Sequence, residues 1–554
     1  MKKIGIILDS TYCDKYLYEI IDELVKSSKV ELFYLINNHA FSERTFAQKI
    51  TSLFSRRKLS GFVKWLPFKL ISAIEFKLLS ITSREAREHN VSLSIDKFVG
   101  SNKIYLNPIF SSSKLTVQYP ASDIEKIKSL DLDIIIRGNA PGIFKGDIIN
   151  SSKKGIISFH HGDNRWNRGG PPAFWEVYLR KPSTGFIIQI LTEELDAGSV
   201  LFRGEVTTKR SYAENIINLY KFSHPYLSRI ILQYAENDSL PKAEGGSPFD
   251  GPLLVAPSPW QSLIYLSRTD LYIVKQYLSK HIFNKHQRWG VGFTQYHWQS
   301  AILRKGIRIK NIPNHYFADP FVVTRNGRTV CYVEDYDYKY GKGSIAAVEL
   351  FDRSYTILGT VIDEQFHMSF PFVFEYNNEM YMVPEVSGSH SIRLYKCIKY
   401  PMEWEYQNDI MSNVDAVDPM IFSRGDVWWL LFNKIEHEDA NSILVAFYGE
   451  NPLSGNWISH SLNPLVFNSN IARNGGILVD QDGFTVRVRQ KQGFDSYGES
   501  LTLAKIKDIS PSSFIEEEVG QVTPDFFYET KGIHHMHSNN RYTVYDFNKI
   551  ERIE

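Results

Sequence analysis

A motif that returns about every fifty residues limits the second half of this chain more tightly than any other feature. From about Tyr316 onward, Phe317-Ala-Asp-Pro-Phe-Val322, Ser369-Phe-Pro-Phe-Val373, Val417-Asp-Pro-Met-Ile421, Arg473-Asn-Gly-Gly-Ile477 and Gly532-Ile-His-His-Met536 follow one another. Alternating apolar strands trail them, as in Thr329–Glu334, Met380–Glu385, Val427–Phe432 and Arg541–Tyr545. A repeat of this length cannot cover its own apolar face, so neighbours must stack on it. Five such units predict a five-bladed β-propeller in which each head begins the inner strand of a blade and lines the central axis.

The first part reads differently. Ile4–Leu8, Val30–Leu35, Asp133–Ile136, Ile156–Phe159 and Gly185–Ile190 read as strands, several of them apolar on both faces as parallel strands require. Helical spacing separates them at Tyr16–Ser27, Ala121–Ser129 and Ala213–Ala235. This alternation predicts an α/β doubly wound sheet over residues 1–238, with ligands bound beyond the carboxyl ends of its strands. Residues 239–300 read as a turn-rich linker with bridging helices, and 301–554 as the propeller. A chain of 554 residues is too long for one core, which agrees with this division.

The bulk properties exclude several partners. A net charge of +1 and an apolar content of 43% fit an ordinary globular protein and give no reason to expect nucleic acid. Cys13, Cys331 and Cys397 lie far apart without metal-ligand spacing, so a reduced compartment and packing roles are expected, and no metal. The opening run ends at Asp9 without a cleavage site and reads as a first strand, which points to the cytoplasm. Between Phe62 and Leu79, lysines interleave with aromatic and aliphatic residues as in a basic amphipathic helix. Such a helix packs on its own domain or docks on a membrane surface.

Chemistry concentrates in Ile156-Ile-Ser-Phe-His-His-Gly-Asp-Asn-Arg-Trp-Asn-Arg-Gly-Gly-Pro-Pro172 and in Leu195-Asp-Ala-Gly198. The first sets His160 at the end of a strand and follows it with a Gly-Pro loop that allows backbone to approach a ligand. The second sets Asp196 in a tight turn. This spacing resembles the folate-dependent formyltransferases, with Ser158-Phe-His160 where the family has Asn-x-His, Asn167–Pro172 as its loop and Leu195–Gly198 as its turn. The His160-His161 pair is also similar to the formyltetrahydrofolate hydrolases of that superfamily. The likeness runs from about Leu130 to Val206.

The resemblance implies 10-formyltetrahydrofolate as formyl donor and His160, Asp196 and Ser158 as the catalytic set. A protonated His160 donates to the oxyanion formed when an amine attacks the formyl carbon, and Asp196 holds that charge or takes the amine's proton. Ser158 is shorter than asparagine, so a donor is lost there unless Asn164 or Asn167 supplies an amide. Arg137-Gly138-Asn139-Ala140 and the turn from Glu194 to Gly198 are expected along the folate. His161, Asp163, Asn164, Arg168, Gly169 and Gly170 form the expected substrate loop. His161 and Asp163 are either solvated at the surface or bind the acceptor, and Arg137 is either an edge charge or a folate contact.

The repeat region is similar to the five-bladed propellers of several glycoside hydrolase families, and more closely to the region preceding the transferase in plant glucosamine inositolphosphorylceramide transferases. Asp319, Glu385, Asp418, Arg473 and His535, with His534, are its funnel candidates. They suit glycan binding, glycoside hydrolysis between paired carboxyls, or a structural use of Asp-Pro at a strand start. Both halves together suggest formyl transfer to a nucleotide-activated amino sugar destined for a surface polysaccharide. The alternatives are a formyltetrahydrofolate hydrolase or deformylase, a non-catalytic carbohydrate-binding protein, and a glycosidase or glycosyltransferase working from the propeller.

Overall fold

The computed structural model of the chain describes residues 1–38, 56–194, 198–245, 253–282 and 285–552, with only the backbone for 56–64, Ser387 and Arg552. The chain divides into two units, Met1–Ile273 and Val274–Glu554. In the first, a seven-stranded sheet is formed by β1 (Lys2–Leu8), β2 (Val30–Asn37), β3 (Lys103–Leu106), β4 (Ile134–Arg137), β5 (Ile156–His160), β6 (Ser183–Ile190) and β7 (Ser199–Thr207). Its order is β7-β6-β5-β4-β1-β2-β3. Strands β1 to β5 are parallel, whereas β6 and β7 pair antiparallel. The run Gly185–Ile190 therefore adds an antiparallel strand to a sheet whose first five strands are parallel. A loop and one short helix join β5 to β6.

The helices used below are α1 (Lys15–Lys26), α2 (Arg56–Thr82), α3 (Ala121–Ser129), α4 (Phe174–Tyr178), α5 (Tyr212–Asn237), α6 (Pro259–Tyr265) and α7 (Leu271–His281). Asp14 caps α1 by accepting the Leu17 N–H, and Tyr16, Leu17, Ile20, Ile21 and Leu24 form its buried stripe. Ser211 and Glu214 close a capping box on α5. Ile7, Leu35, Ile135 and Ile156 share one core with Ile124 and Ile127 of α3. Ile4, Ile6 and Leu8, which alternate to the opposite face of β1, are also fully buried. Strand order reverses between β1 and β4, and Asn139 bridges that switch point. Its Oδ1 accepts the Asp9 N–H at 2.9 Å and its Nδ2 donates to the Tyr12 carbonyl at 2.9 Å.

The second unit holds five antiparallel sheets among the described residues, spanning 315–362, 367–412, 416–467, 474–522, and a last one that joins 285–309 to 536–552. Each sheet contacts the next in this order, and the last also contacts the first. Lys285–Thr294 pairs along its whole length with Thr543–Arg552. Residues 285–300, expected in the linker, thus belong to the repeat region, because the last sheet takes Lys285–Thr294 and Ile307–Ile309 as the strands beyond Thr543–Arg552. The buried thiols of Cys13, Cys331 and Cys397 sit in these cores. No helix of the described residues is long and apolar enough to cross a membrane.

Candidate functional site

In the first unit, His160 ends β5 at the carboxyl edge of the sheet, the edge at which open α/β sheets bind ligands. Its Nε2 lies 2.9 Å from the carbonyl oxygen of Asn167. Asn167 is buried, its Oδ1 accepts the Gly169 N–H at 2.9 Å, and its Nδ2 has no acceptor among the described residues. The residue that holds the histidine through its main-chain carbonyl therefore also carries an unused side-chain amide donor. Ser158 is buried and turns its hydroxyl to the Phe159 carbonyl at 3.1 Å. Asn164, the other candidate for a replacement amide, accepts from Arg203 at 3.1 Å through Oδ1 and from Arg168 Nε at 3.0 Å through its carbonyl. Asp196 lies outside the described residues, with Leu195 and Ala197.

The substrate-loop residues have other neighbours than expected. Asp163 is buried and ion-paired with Arg165 and Arg203, each at 2.6 Å. His161 is half-buried, stacks on Phe159 and His224, and has no partner for its Nε2. Neither is solvated at the surface, and burial lowers the affinity of His161 for a proton. The close approach at Gly169 is made by the chain itself. A Cβ there would lie 1.7 Å from the Leu254 carbonyl, which also accepts the Gly170 N–H at 3.0 Å. Gly198 is needed for the same reason, since a Cβ would meet the Ile190 carbonyl at 2.1 Å. Gly138 donates to Ile7, and buried Ala140 packs in the core. Arg137 is no edge charge. It sits on the interior strand β4, donates to the Gly142 carbonyl at 2.8 Å and covers the Phe144 ring. Glu194 is exposed.

One residue of this region escaped the sequence reading. Glu176 on α4 is fully buried, and neither carboxyl oxygen has a hydrogen-bond partner. Burial, only partly offset by its own N–H, Lys181 and His160, pushes its pKa up from 4.5 to about 7. The folded chain therefore binds the extra proton between these values. The neutral carboxyl is favoured below pH 4.5, and stability falls as pH rises through 7. Glu176→Gln should match the parent near pH 4.5 and exceed its unfolding free energy above pH 7 by about 3 kcal/mol. Parallel urea titrations at the two pH values measure this. An equal effect of the substitution at both would refute it.

In the second unit, a cavity of about 170 Å³ is lined by Asp319, Glu385, Asp418, Arg473 and His534 together with Glu334. Trp289, Tyr316 and Tyr497 supply its aromatic walls. Asp319 and Asp418 are aimed by a recurring bulge. Both have φ of 48°, and Phe370 occupies the same place at 44°. Ladder shifts between Ala318 and Phe321, Ser369 and Phe372, and Val417 and Met420 mark it. A phenylalanine in this strained geometry shows that the bulge is architectural, while the aspartates add chemistry to it. Asp319 also accepts the Phe370 N–H at 3.3 Å, the structural use expected of an Asp-Pro head.

Each of the two cations there lies between two carboxylates. Arg473 contacts Asp418 through Nε and lies 3.9 Å from Glu385. His534 places Nε2 3.0 Å from Asp319 and Nδ1 2.8 Å from Asp546. Burial opposes charge on His534, but the Asp546 and Asp319 carboxylates outweigh it and raise its pKa to about 10. His535 was the wrong member of the pair. It is fully buried against the Phe321 and Phe370 rings, and neither ring nitrogen has a partner. Glu334 was missed. It stands opposite Ala318 as Glu385 stands opposite Ser369, so the shared Glu ending of two trailing strands was the available signal. Burial beside Asp319 pushes its carboxyl well above the ordinary range.

Residues 302–552 match the family described as glucosamine inositolphosphorylceramide transferase 1, N-terminal. The Arabidopsis thaliana protein of that name is 32% identical over 214 residues, 38% of this chain and 28% of that protein. Methionyl-tRNA formyltransferase of Bacillus subtilis is 29% identical over 99 residues, 18% of this chain and 30% of that enzyme. Among solved structures, the Cellvibrio cellulosa alpha-L-arabinanase is 14% identical with a TM-score of 0.29, over 36% of this chain and 77% of that one. The chain spans less than a third of the length of these curated relatives. It thus joins an N-terminal region similar to methionyl-tRNA formyltransferases to a C-terminal region similar to the N-terminal part of glucosamine inositolphosphorylceramide transferases.

Proposed function

We propose that the first unit is a formyltransferase-like domain that moves a formyl group from 10-formyltetrahydrofolate to the amine of a nucleotide-activated amino sugar. We infer further that the five sheets of the second unit are the blades of a closed propeller whose central cavity holds a sugar. The observation that carries the first reading is the buried, unsatisfied Asn167 amide in the residue that also holds His160. An orphan donor of this kind is costly to maintain and suits an oxygen that arrives with substrate. It replaces the donor lost at Ser158.

The folate supplies an activated formyl carbon when bound. The main chain of Asn139, Ala140 and Glu194 would hold it, because the Arg137 and Asn139 side chains are already engaged. His160 and the Asn167 amide then present N–H groups to the formyl oxygen. The amine nitrogen bonds to the formyl carbon and gives up one proton, and the folate nitrogen leaves with one. Asp196, which follows β6 in sequence, is proposed to accept the amine's proton. In the propeller, four carboxyls, two cations and three aromatic side chains around about 170 Å³ suit one polar ring rather than an extended chain.

The test mixes the full chain with 10-formyltetrahydrofolate, with and without a panel of nucleotide amino sugars, and follows release of tetrahydrofolate. Release only with an acceptor is expected. Release without any acceptor would make the protein a hydrolase. Silence under all conditions, with an oligosaccharide bound, would make it a carbohydrate-binding protein.

A further inference from the structure

Helix α2 is apolar on two opposite faces. Phe68, Ile71, Phe76 and Leu79 turn inward, with Phe68 against Phe174 and Tyr212. Leu66, Leu70, Ile74, Leu78 and Ile81 recur at helical spacing on the other side and are exposed, Leu70 by 55%, Ile74 by 58% and Leu78 by 61%. A helix apolar all round belongs in a core or in lipid. Single exposed leucines are ordinary, but a continuous stripe of them is not. Helix α6 packs beside α2 and exposes Trp260 and Leu263, and the segment running on from it exposes Leu266 and Leu271.

Of the acids of these two segments, Glu75 is buried and Asp270 half-buried. Within Arg56–Thr82 the one acid is Glu75, and within 259–271 it is Asp270. Glu75 is buried, receives the Tyr265 hydroxyl at 2.6 Å and the Ala213 N–H at 3.0 Å, and lies against Asp270. The outward side keeps Lys69, Lys77 and Arg268, all exposed. Exposed leucine, isoleucine and tryptophan side chains flanked by cations alone complement an anionic bilayer, into which such a helix lies in plane.

We propose that the outward faces of α2 and α6 form a docking surface for an anionic membrane. The leucine and isoleucine stripe enters the acyl boundary, Trp260 sits at the headgroup level, and Lys77 and Arg268 meet lipid phosphates. The surface is independent of the formyl-transfer reading, since none of its residues belongs to the His160 site.

The test is co-sedimentation of the full chain with phosphatidylcholine vesicles, alone or mixed with phosphatidylglycerol. The chain should pellet with the mixed vesicles and at least tenfold less with phosphatidylcholine alone. Raised salt should weaken the retention. Leu70→Glu/Ile74→Glu should lower it at least tenfold, and Trp260→Glu/Leu263→Glu should do the same as a second, separately folded variant. Both should keep the parent's melting temperature and its release of tetrahydrofolate. Unchanged vesicle binding in the two variants would overturn the proposal. So would a chain that ignores vesicles, including one that dimerises through this face, as a Leu70→Glu/Ile74→Glu-sensitive dimer in analytical ultracentrifugation would show. A chain inactive towards folate that still binds the mixed vesicles would sink the formyl-transfer reading alone.

Discussion

His160→Ala should lower acceptor-dependent release of tetrahydrofolate by roughly 10²–10³-fold, with little change in folate affinity. The imidazole is half-buried and tethered to the Asn167 carbonyl, so its loss removes a positioned donor without opening a core. Asn167→Asp is the sharper companion. It keeps an oxygen for the Gly169 N–H but removes the orphan amide donor, and it should also cost about 10²-fold. The double variant should fall little further than the worse single one, because both groups act on one oxygen. Single-turnover measurements separate these effects from binding. If Asn167→Asp runs at the parental rate, Ser158 has no replacement there and the proposed oxyanion site is wrong.

The second large effect concerns stability. Arg487 is fully buried and makes a two-pronged pair with Glu516 at 2.6 and 2.8 Å. It also donates to the carbonyls of Ala472 at 3.0 Å and Ile471 at 2.9 Å. Arg487→Met would leave Glu516 only the more distant Arg489, 3.8 Å away, and would strand these acceptors; removing one partner of a buried pair costs about 3–5 kcal/mol. In a unit of this size that is roughly 10 °C in the calorimetric melting of the second half. Arg487→Met/Glu516→Met should recover most of the loss, since two apolar residues leave no orphaned charge. A single variant that melts within about two degrees of the parent would show that water already satisfies the site.

The repeat heads were readable because Asp319, Asp418 and the Phe370 position share one backbone device, and a device repeated in sequence leaves a period. Their convergence on a cavity with Glu385 and Arg473 followed from that period. Which of two adjacent histidines would face the cavity did not. One step along a strand reverses the side chain, and the segment leading to Met536 is not itself a strand. Glu176 was illegible for another reason, since an acid between Trp175 and Val177 reads as the polar face of a short helix until coordinates show that no face of that helix is wet. Gly169 misled in the opposite direction. Its lack of a side chain was assigned to a ligand, but the intruder is Leu254, far along the chain. Glycine signals close approach without naming what approaches.

The pairing of Lys285 with Arg552 and of Thr294 with Thr543 also sets a timetable for synthesis. On the ribosome the first unit can complete its sheet while translation is still under way. The strand at 285–294, paired on one edge with Ile307–Ile309, must wait for its other partner until residues 543–552 have been made. During that interval it is a bare β-edge that a neighbouring nascent chain could capture, so truncations within 543–552 should yield aggregation in cells rather than a shortened soluble product.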